Sequence, residues 1–420
     1  AVEVRLAEFI FRCTECGVTY AETEVRSTCP SCTAGQEFGG VVRGVLEVEL
    51  ATLPDGWPPP RYAEFEFLQP FLPISQPETL PHLAVGGTPL LPVPGLRREL
   101  GMPNLWIKDD CRNPSGSTKD RASLLVVAKA IEYGIDTLAT ASTGNAASAL
   151  AAVAASAGRR AIVFVPADAP AAKLVQMLAY GATVIRLEGD YDDAFELCRE
   201  ACDTFEWYNR NTAFNPFTIE GKKTAALEIA AQLVPDACDV VVVPTGDGVI
   251  LAGIAKGFAD LARCGLISRA PRLVAVQPAG SAAIVTAAQS GADTVEPLTE
   301  AASIADSLTV RVPRNATLCL RRIRESGGAG VAVPDRAIVA AIGRLARTTG
   351  VFAEPAAAAA LAGLESALDQ SLVGRDERVV LLITGSGLKD VAAAAQAVAV
   401  PATIAADIDA IAELLDRADR

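Results

Sequence analysis

Asn113-Pro-Ser-Gly-Ser-Thr-Lys119-Asp-Arg121, read with the uncharged turn Ala141-Ser-Thr-Gly-Asn145 that follows it, decides how this chain is understood. The first stretch sets a lysine just ahead of a helical pattern. The second is a Ser/Thr/Gly/Asn turn at the end of an apolar run. Together they suit a flat, anionic cofactor held beside an amine, because an amine forms a Schiff base with an aldehyde and can later move protons. The bland reading of Lys119 is a surface lysine in a first helical turn, where the helix dipole disfavours a cation. Asn145 has a bland reading too, as an ordinary helix cap.

From residue 105 onward, apolar runs alternate with helical patterns. Strands are predicted at Thr137–Ala141, Ala161–Pro166, Thr183–Leu187, Val240–Pro244, Leu273–Gln277 and Val379–Ile383. Helices are predicted at Asp120–Tyr133, Asn145–Ala157, Pro170–Tyr180, Tyr191–Thr204 and Gly248–Cys264, with Pro170 suited to a first helical position. Buried strands separated by helices give an α/β fold with parallel sheets, one layer around residues 120–210 and another from the remainder. Its site belongs in a cleft at the carboxyl ends of strands. Two more strand-end motifs point there: Pro244-Thr-Gly246-Asp247-Gly248-Val249, whose amides can cradle a phosphate, and Ile383-Thr384-Gly-Ser386-Gly-Leu-Lys389.

The 420 residues exceed one simple domain, and half of them are apolar. A net charge of −13 argues against nucleic-acid binding and against adhesion to anionic membranes. The uncharged segment Thr137 to Gly158 includes Ser142, Thr143, Asn145, Ser148 and two glycines, and alanine rather than leucine dominates it. It reads as a buried strand-turn-helix, not a membrane span. No apolar N-terminal run with a basic flank suggests a signal peptide, and a cytoplasmic protein is expected. His82 is the only histidine, which removes Ser-His-Asp and Cys-His chemistry and favours borrowing chemistry from a cofactor.

Of ten cysteines, four form Cys13-x2-Cys16, twelve residues, then Cys29-x2-Cys32, the spacing of a structural Zn2+ ribbon. Two disulfides would require an oxidising compartment. A nucleic-acid role for the ribbon would require basic and aromatic neighbours, whereas Glu15, Glu22, Glu24 and Glu37 surround it. Cys198 and Cys202 fall on an amphipathic pattern and read as core thiols. The organisation expected is a ribbon over 1–45, a proline-rich connector over 46–85 (Pro54, Pro58, Pro59, Pro60, Pro70, Pro73, Pro77, Pro81), a catalytic region over 86–400 opened by Gly87-Thr-Pro-Leu90, and a C-terminal helix over 401–420.

The order and spacing of these motifs, with Ile219-Glu-Gly-Lys-Lys-Thr224 and Glu354-Pro-Ala-Ala between them, resemble the threonine synthase family of fold-type II pyridoxal phosphate (PLP) enzymes over about residues 85–395. The resemblance implies two parallel-sheet α/β domains with a cleft between them, on an enzyme of the lyase type and most simply a homodimer. It implies PLP linked to Lys119, its ring hydroxyl on Asn145, its phosphate on the amides of Gly246, Asp247, Gly248 and Val249, and its pyridine nitrogen facing Thr384, with Ser386 as the second choice. The turn Ser142, Thr143, Gly144 and Ala146 would take the carboxylate of a small amino-acid substrate. Lys119, once freed, would remove the Cα proton, and a group at Cβ or Cγ would leave.

The chain also departs from the family. Thr118 stands where Phe is usual and Ala146 where Thr is usual. Ala213 and Thr218 align with the Ser and Arg that help hold the substrate phosphate, and Asp247 replaces a loop Asn. Family resemblance implies threonine synthesis from O-phosphohomoserine. The lost Arg points instead to a substrate lacking that phosphate, such as serine, threonine or an O-acylated amino acid, in dehydration or cysteine-synthase-like β-replacement. Lys222 and Lys223 are candidate substitutes for the lost charge. A catalytically inactive PLP- and zinc-binding protein is the alternative outside enzymes.

Overall fold

The computed structural model describes residues 8–36, 39–54, 56, 65–234 and 238–418. Glu37 and the connector prolines Pro58, Pro59 and Pro60 lie outside the described residues, as do residues 1–7 of the ribbon and 419–420 of the C-terminal helix. Near the N-terminus, β1 (Phe9–Cys13) pairs antiparallel with β2 (Thr19–Ala21) on one side and β3 (Leu46–Leu50) on the other. The alternation of β3, Leu46, Val48 and Leu50 in and Glu47 and Glu49 out, makes this small sheet one-sided. The sheet therefore continues to Leu50, past residue 45.

β4 (Leu90–Pro92) and β5 (Leu105–Asp109) begin the larger sheet. The chain then builds a separate four-stranded sheet from β6 (Thr137–Ala141), β7 (Arg160–Pro166), β8 (Thr183–Leu187) and β9 (Tyr208–Asn209), in the order β8-β7-β6-β9 with every pair parallel. It returns through β10 (Val240–Pro244), β11 (Arg272–Pro278), β12 (Ala329–Val333) and β13 (Val379–Ile383) to complete a sheet ordered β12-β11-β10-β13-β5-β4. Only β4 runs antiparallel in it. The α/β architecture with two parallel-sheet units follows from strands such as Val240-Val-Val-Val243, buried on both faces.

Alternate residues of these strands serve two cores. Val240 and Val242, with Val379 and Leu381 on the neighbouring strand, face the alanine-rich helix Pro355–Asp369. Val241, Val243, Val380 and Leu382 face the helices Phe217–Leu233 and Val249–Arg263. At Gly363 an added Cβ would lie 2.2 Å from Val276 Cγ2, so the alanine-rich helix can lie on the sheet only with glycine there. Cys198 and Cys202 are buried in the core of the smaller unit, as their periodicity predicts. Pro170 stands at the N-cap, one residue ahead of the helix Ala171–Ala179, rather than inside it. The strands β5, β9 and β12 do not stand out as apolar runs in the sequence; β9 is only two residues long, and β12 reads Ala-Gly-Val-Ala-Val.

The N-terminal unit is seated on the catalytic region. Val42 and Val45 pack with Ala213, Ile219, Val249, Ala252 and Leu318, and the rings of Phe9 and Phe11 meet Phe217 edge-on at 5.9 and 5.6 Å. The helix that starts at Lys119 is fastened by a buried ion network. Arg121 donates to both Asp110 oxygens at 2.8 Å and to Glu228 Oε1 and Oε2 at 2.6 and 2.8 Å, while Lys108 pairs with Glu228 at 2.6 Å. No described helix is long and apolar enough to cross a membrane.

Candidate active site

Every loop of the site leaves the carboxyl end of a parallel strand. β5 leads to Asn113–Lys119, β6 to Ser142–Ala146, β9 to Arg210, β10 to Thr245–Val249 and β13 to Thr384–Lys389. Backbone pairing brings two of them side by side: the Thr118 N–H donates to the Thr384 carbonyl at 2.8 Å, and Ser117 bridges to Gly385.

A cavity of about 440 Å³ is lined by Lys119, Ser142, Thr143, Gly144, Asn145, Ala146, Gly246, Asp247, Gly248 and Val249, residues drawn from three separate motifs. Lys119 is the first residue of its helix, not the residue ahead of it, and its ammonium has no hydrogen-bond or ion-pair partner among the described residues. Burial lowers its pKa from 10.5 to about 8; Glu354 and Asp247 oppose that shift and Arg210 adds to it.

The glycine loop is a built cradle. The amide N–H groups of Gly246, Asp247, Gly248, Val249 and Ile250 have no hydrogen-bond partner among the described residues, as expected at an uncapped helix start. Gly248 adopts φ +91°, and a Cβ there would lie 2.5 Å from Cys319 Cβ. Five unspent donors at a helix N-terminus, opening on a cavity that also holds a free amine, fit a phosphate-bearing aldehyde such as PLP.

Asp247 does not cap the following helix. Its Oδ1 accepts from the Arg314 amide at 3.3 Å, its side chain lines the cavity, and burial raises its pKa. Asn145 lies on the wall and donates to Glu354 Oε1 at 2.9 Å. Glu354, buried at the start of the helix Pro355–Asp369, has its pKa raised by burial, and an added Cβ on Gly385 would lie 2.3 Å from its Oε1. Glu354 opens the Glu354-Pro-Ala-Ala motif of the family resemblance, but no local signal there places its carboxyl, 209 residues away in sequence, beside Asn145. Beyond it lies a second cavity of about 590 Å³, which shares Thr143, Gly144, Asn145, Asp306 and Ser307 with the first and includes Ser386 and Lys389.

Three expected residues are not on the cavity wall. Thr384 is buried beside Thr118. Ala213 takes φ +62° and packs in the apolar cluster with Val42 and Val45. Thr218 turns its hydroxyl back to the Asn215 carbonyl at 2.8 Å. Of the two lysines offered as substitutes, Lys223 is spent on Glu220 and Asp260 at 2.5 and 2.9 Å, whereas Lys222 lines the cavity. Arg210, Tyr191 and Arg311 also line it, and no motif marks them.

The four ribbon sulfurs lie within 4.8 Å of one another, with Cys13–Cys32 and Cys16–Cys29 both at 3.7 Å. A tetrahedron with Zn–S bonds of about 2.3 Å has edges of about 3.8 Å, so the set fits zinc.

The family model described as pyridoxal-phosphate dependent enzyme matches residues 82–385. Threonine synthases from Methanosarcina acetivorans and Methanocaldococcus jannaschii are 37% and 36% identical to this chain, each covering 96% of it and 98% of their own length. Among solved structures, an L-serine ammonia-lyase from Rhizomucor miehei superposes with a TM-score of 0.64 at 22% identity, over 74% of this chain and 96% of that one, which is a likeness of fold. With a matching family model over most of the catalytic region and relatives aligned almost end to end, the chain belongs to the pyridoxal-phosphate dependent enzymes as a threonine-synthase-like lyase acting on an amino acid.

Proposed function

We propose that this chain carries out the reaction its relatives are named for, on a small amino acid whose side chain bears a leaving group, with Lys119 as the catalytic residue. The observation that carries this reading is the meeting of the Lys119 amine, the Ser142–Ala146 turn and the unspent amides of Gly246–Val249 on one cavity. PLP, when bound, supplies the aldehyde that the amine engages and an electron sink for charge developed at Cα. The glycine loop would hold the cofactor phosphate and Asn145 would meet the ring hydroxyl; Thr384, expected at the ring nitrogen, lies off the cavity wall. The free Thr143, Asn145 and Ala146 amides at the next helix start would hold the substrate carboxylate and so orient the Cα–H toward Lys119 Nζ. A lysine whose pKa is lowered to about 8 is suited to accept that proton near neutrality and return it elsewhere on the substrate.

The purified protein should absorb near the visible edge, and borohydride should abolish that band. Lys119→Ala should lack the band, and a variant that kept it unchanged would exclude Lys119 as the anchor.

The same reading places a structural zinc on Cys13, Cys16, Cys29 and Cys32, supported by the sulfur spacing. It keeps the division into an N-terminal ribbon, a connector, a catalytic region with a smaller unit near 120–210, and a C-terminal helix. None of the ten cysteines is joined in a disulfide, and a cytoplasmic location is part of the same reading. A homodimer is the assembly we expect, and sedimentation would test it.

A further inference from the structure

We infer that Glu354 is a positioning residue: it fixes which atom of the Asn145 carboxamide meets the cofactor's ring hydroxyl, and so favours the anionic form of that ring oxygen. The inference rests on the readings of Lys119 and Asn145 given above.

Glu354 is 4% exposed and stands at the N-cap of the helix Pro355–Asp369, yet its side chain caps no amide of that helix. A carboxylate at such a position ordinarily accepts from the unpaired N–H groups of its own first turn. This one reaches across to another unit instead. Both of its oxygens accept from a single nitrogen, Asn145 Nδ2, at 2.9 and 3.2 Å, and it has no ion-pair partner among the described residues. The backbone holds it there: the Glu354 N–H donates to the Gly385 carbonyl at 3.0 Å, and Ala353 bridges to Ser386. The titratable groups facing the carboxyl are Lys119, Lys389 and Asp390 from the loop after β13, and Cys111 after β5. The Lys389 ammonium is held by the Ser148 hydroxyl at 2.8 Å and the Ser115 carbonyl at 3.2 Å. Lys173 and Asp306, which also line the second cavity, pair with each other at 2.7 Å.

An ionised carboxylate only accepts, so it admits one orientation of the carboxamide, with Nδ2 toward it. Asn145 also lines the Lys119 cavity, and the second hydrogen of Nδ2 finds only the Ser307 hydroxyl, at 3.5 Å. That hydrogen is available to a ring oxygen, and a donor there favours the charged form of the oxygen over the hydroxyl. With the carboxamide reversed, Oδ1 would face the ring and favour the hydroxyl. A neutral side chain at 354 permits both orientations, and so does Glu354 once protonated. Burial raises the Glu354 pKa above its ordinary 4.5, so the control exists above the raised value and is lost as pH falls through it.

The test is the absorbance of the PLP-loaded protein as a function of pH. Wild type should show its band near the visible edge at pH 8 and lose intensity to a near-ultraviolet band on acidification, with a midpoint above 4.5 and with circular dichroism unchanged. Glu354→Gln, which keeps the shape and removes the charge, should still take up PLP, because the glycine loop and Lys119 are intact. Its band should already be displaced toward the ultraviolet at pH 8, and the acid transition should be gone. Glu354 opposes the lowering of the Lys119 pKa, so the midpoint for PLP uptake by the cofactor-free variant should also fall below about 8. A merely structural carboxyl would change stability and leave the band position and both pH profiles as in wild type. That outcome overturns the inference. The acid transition is read on the unsubstituted protein, so its absence above 4.5 overturns the inference even if Glu354→Gln does not fold. Asn145→Ala separates the two readings: a band displaced there but unmoved in Glu354→Gln overturns the role of Glu354 alone, whereas a band unmoved in Asn145→Ala removes the Asn145 reading on which it rests. Failure of the Lys119 reading shows separately, in the spectrum of Lys119→Ala.

Discussion

Replacing Arg121 with Met tests how the chain holds Lys119, two residues away, in position. The guanidinium is fully buried and donates to Asp110, Glu228, Thr88 and Thr224, joining the Lys119 helix to the helix Phe217–Leu233 and to the end of β5. Burial alone would raise both carboxyls, but Arg121 together with Lys108 outweighs it: Asp110 is held below 3.8, and Glu228 falls from 4.5 to about 2. Arg121→Met leaves two buried carboxylates with Lys108 alone, and stripping one partner from a buried ion cluster costs about 3–5 kcal/mol. Urea unfolding followed by circular dichroism should show a loss of that size at pH 8. The pH dependence fixes the cause. In wild type both pKa values are depressed, so their contribution is present above the unfolded values and is lost as pH falls through the folded ones, for Glu228 between about 4.5 and about 2. In the variant, burial without Arg121 pushes the carboxyls upward, so they take up protons at higher pH and the deficit narrows as pH falls from 8 toward 5. Arg121→Lys keeps the charge and loses the fork, and should fall between. A deficit below about 1 kcal/mol, typical of an exposed pair, or one that stays constant from pH 8 to 5, would refute the reasoning.

Only the free amine attacks an aldehyde, so uptake of PLP by cofactor-free protein should accelerate with pH around a midpoint near 8; stopped-flow absorbance that keeps rising toward the ordinary lysine value of 10.5 would contradict the buried Lys119. Gly248→Ala forces a side chain into φ +91° against Cys319 at about 1–3 kcal/mol, and PLP titration should show affinity reduced about fivefold to a hundredfold. Metal analysis should return about one zinc per chain. Chelation should open Cys13, Cys29 and Cys32 to thiol reagents while the cofactor band persists, and loss of activity with the fold intact would place the metal nearer the chemistry.

Local pattern carries much of this protein. Runs such as Val240–Pro244 and Val379–Ile383 are strands because branched apolar residues buried on both faces leave few alternatives, and Thr137–Ala141 and Thr183–Leu187 are delimited to the residue by their pattern. Strand-end motifs at Lys119, Ser142–Ala146 and Gly246–Val249 are visible because turns and helix starts demand particular residues locally. What no local pattern contains is which side chains from different elements meet. Lys222 and Lys223 are neighbours in one helix, yet about 100° of rotation sends one to the cavity and the other to Glu220 and Asp260. That helix is buried nearly all round from Phe217 to Ala230, so no amphipathic stripe marks its faces. Arg210 becomes a cavity residue only because β9 pairs with β6, and Glu354 reaches Asn145 only because Glu354 and Gly385 are joined backbone to backbone. Local pattern defines the elements and the loops that carry the chemistry, whereas packing sets which charges are buried without partners, because burial and pairing belong to several elements brought together.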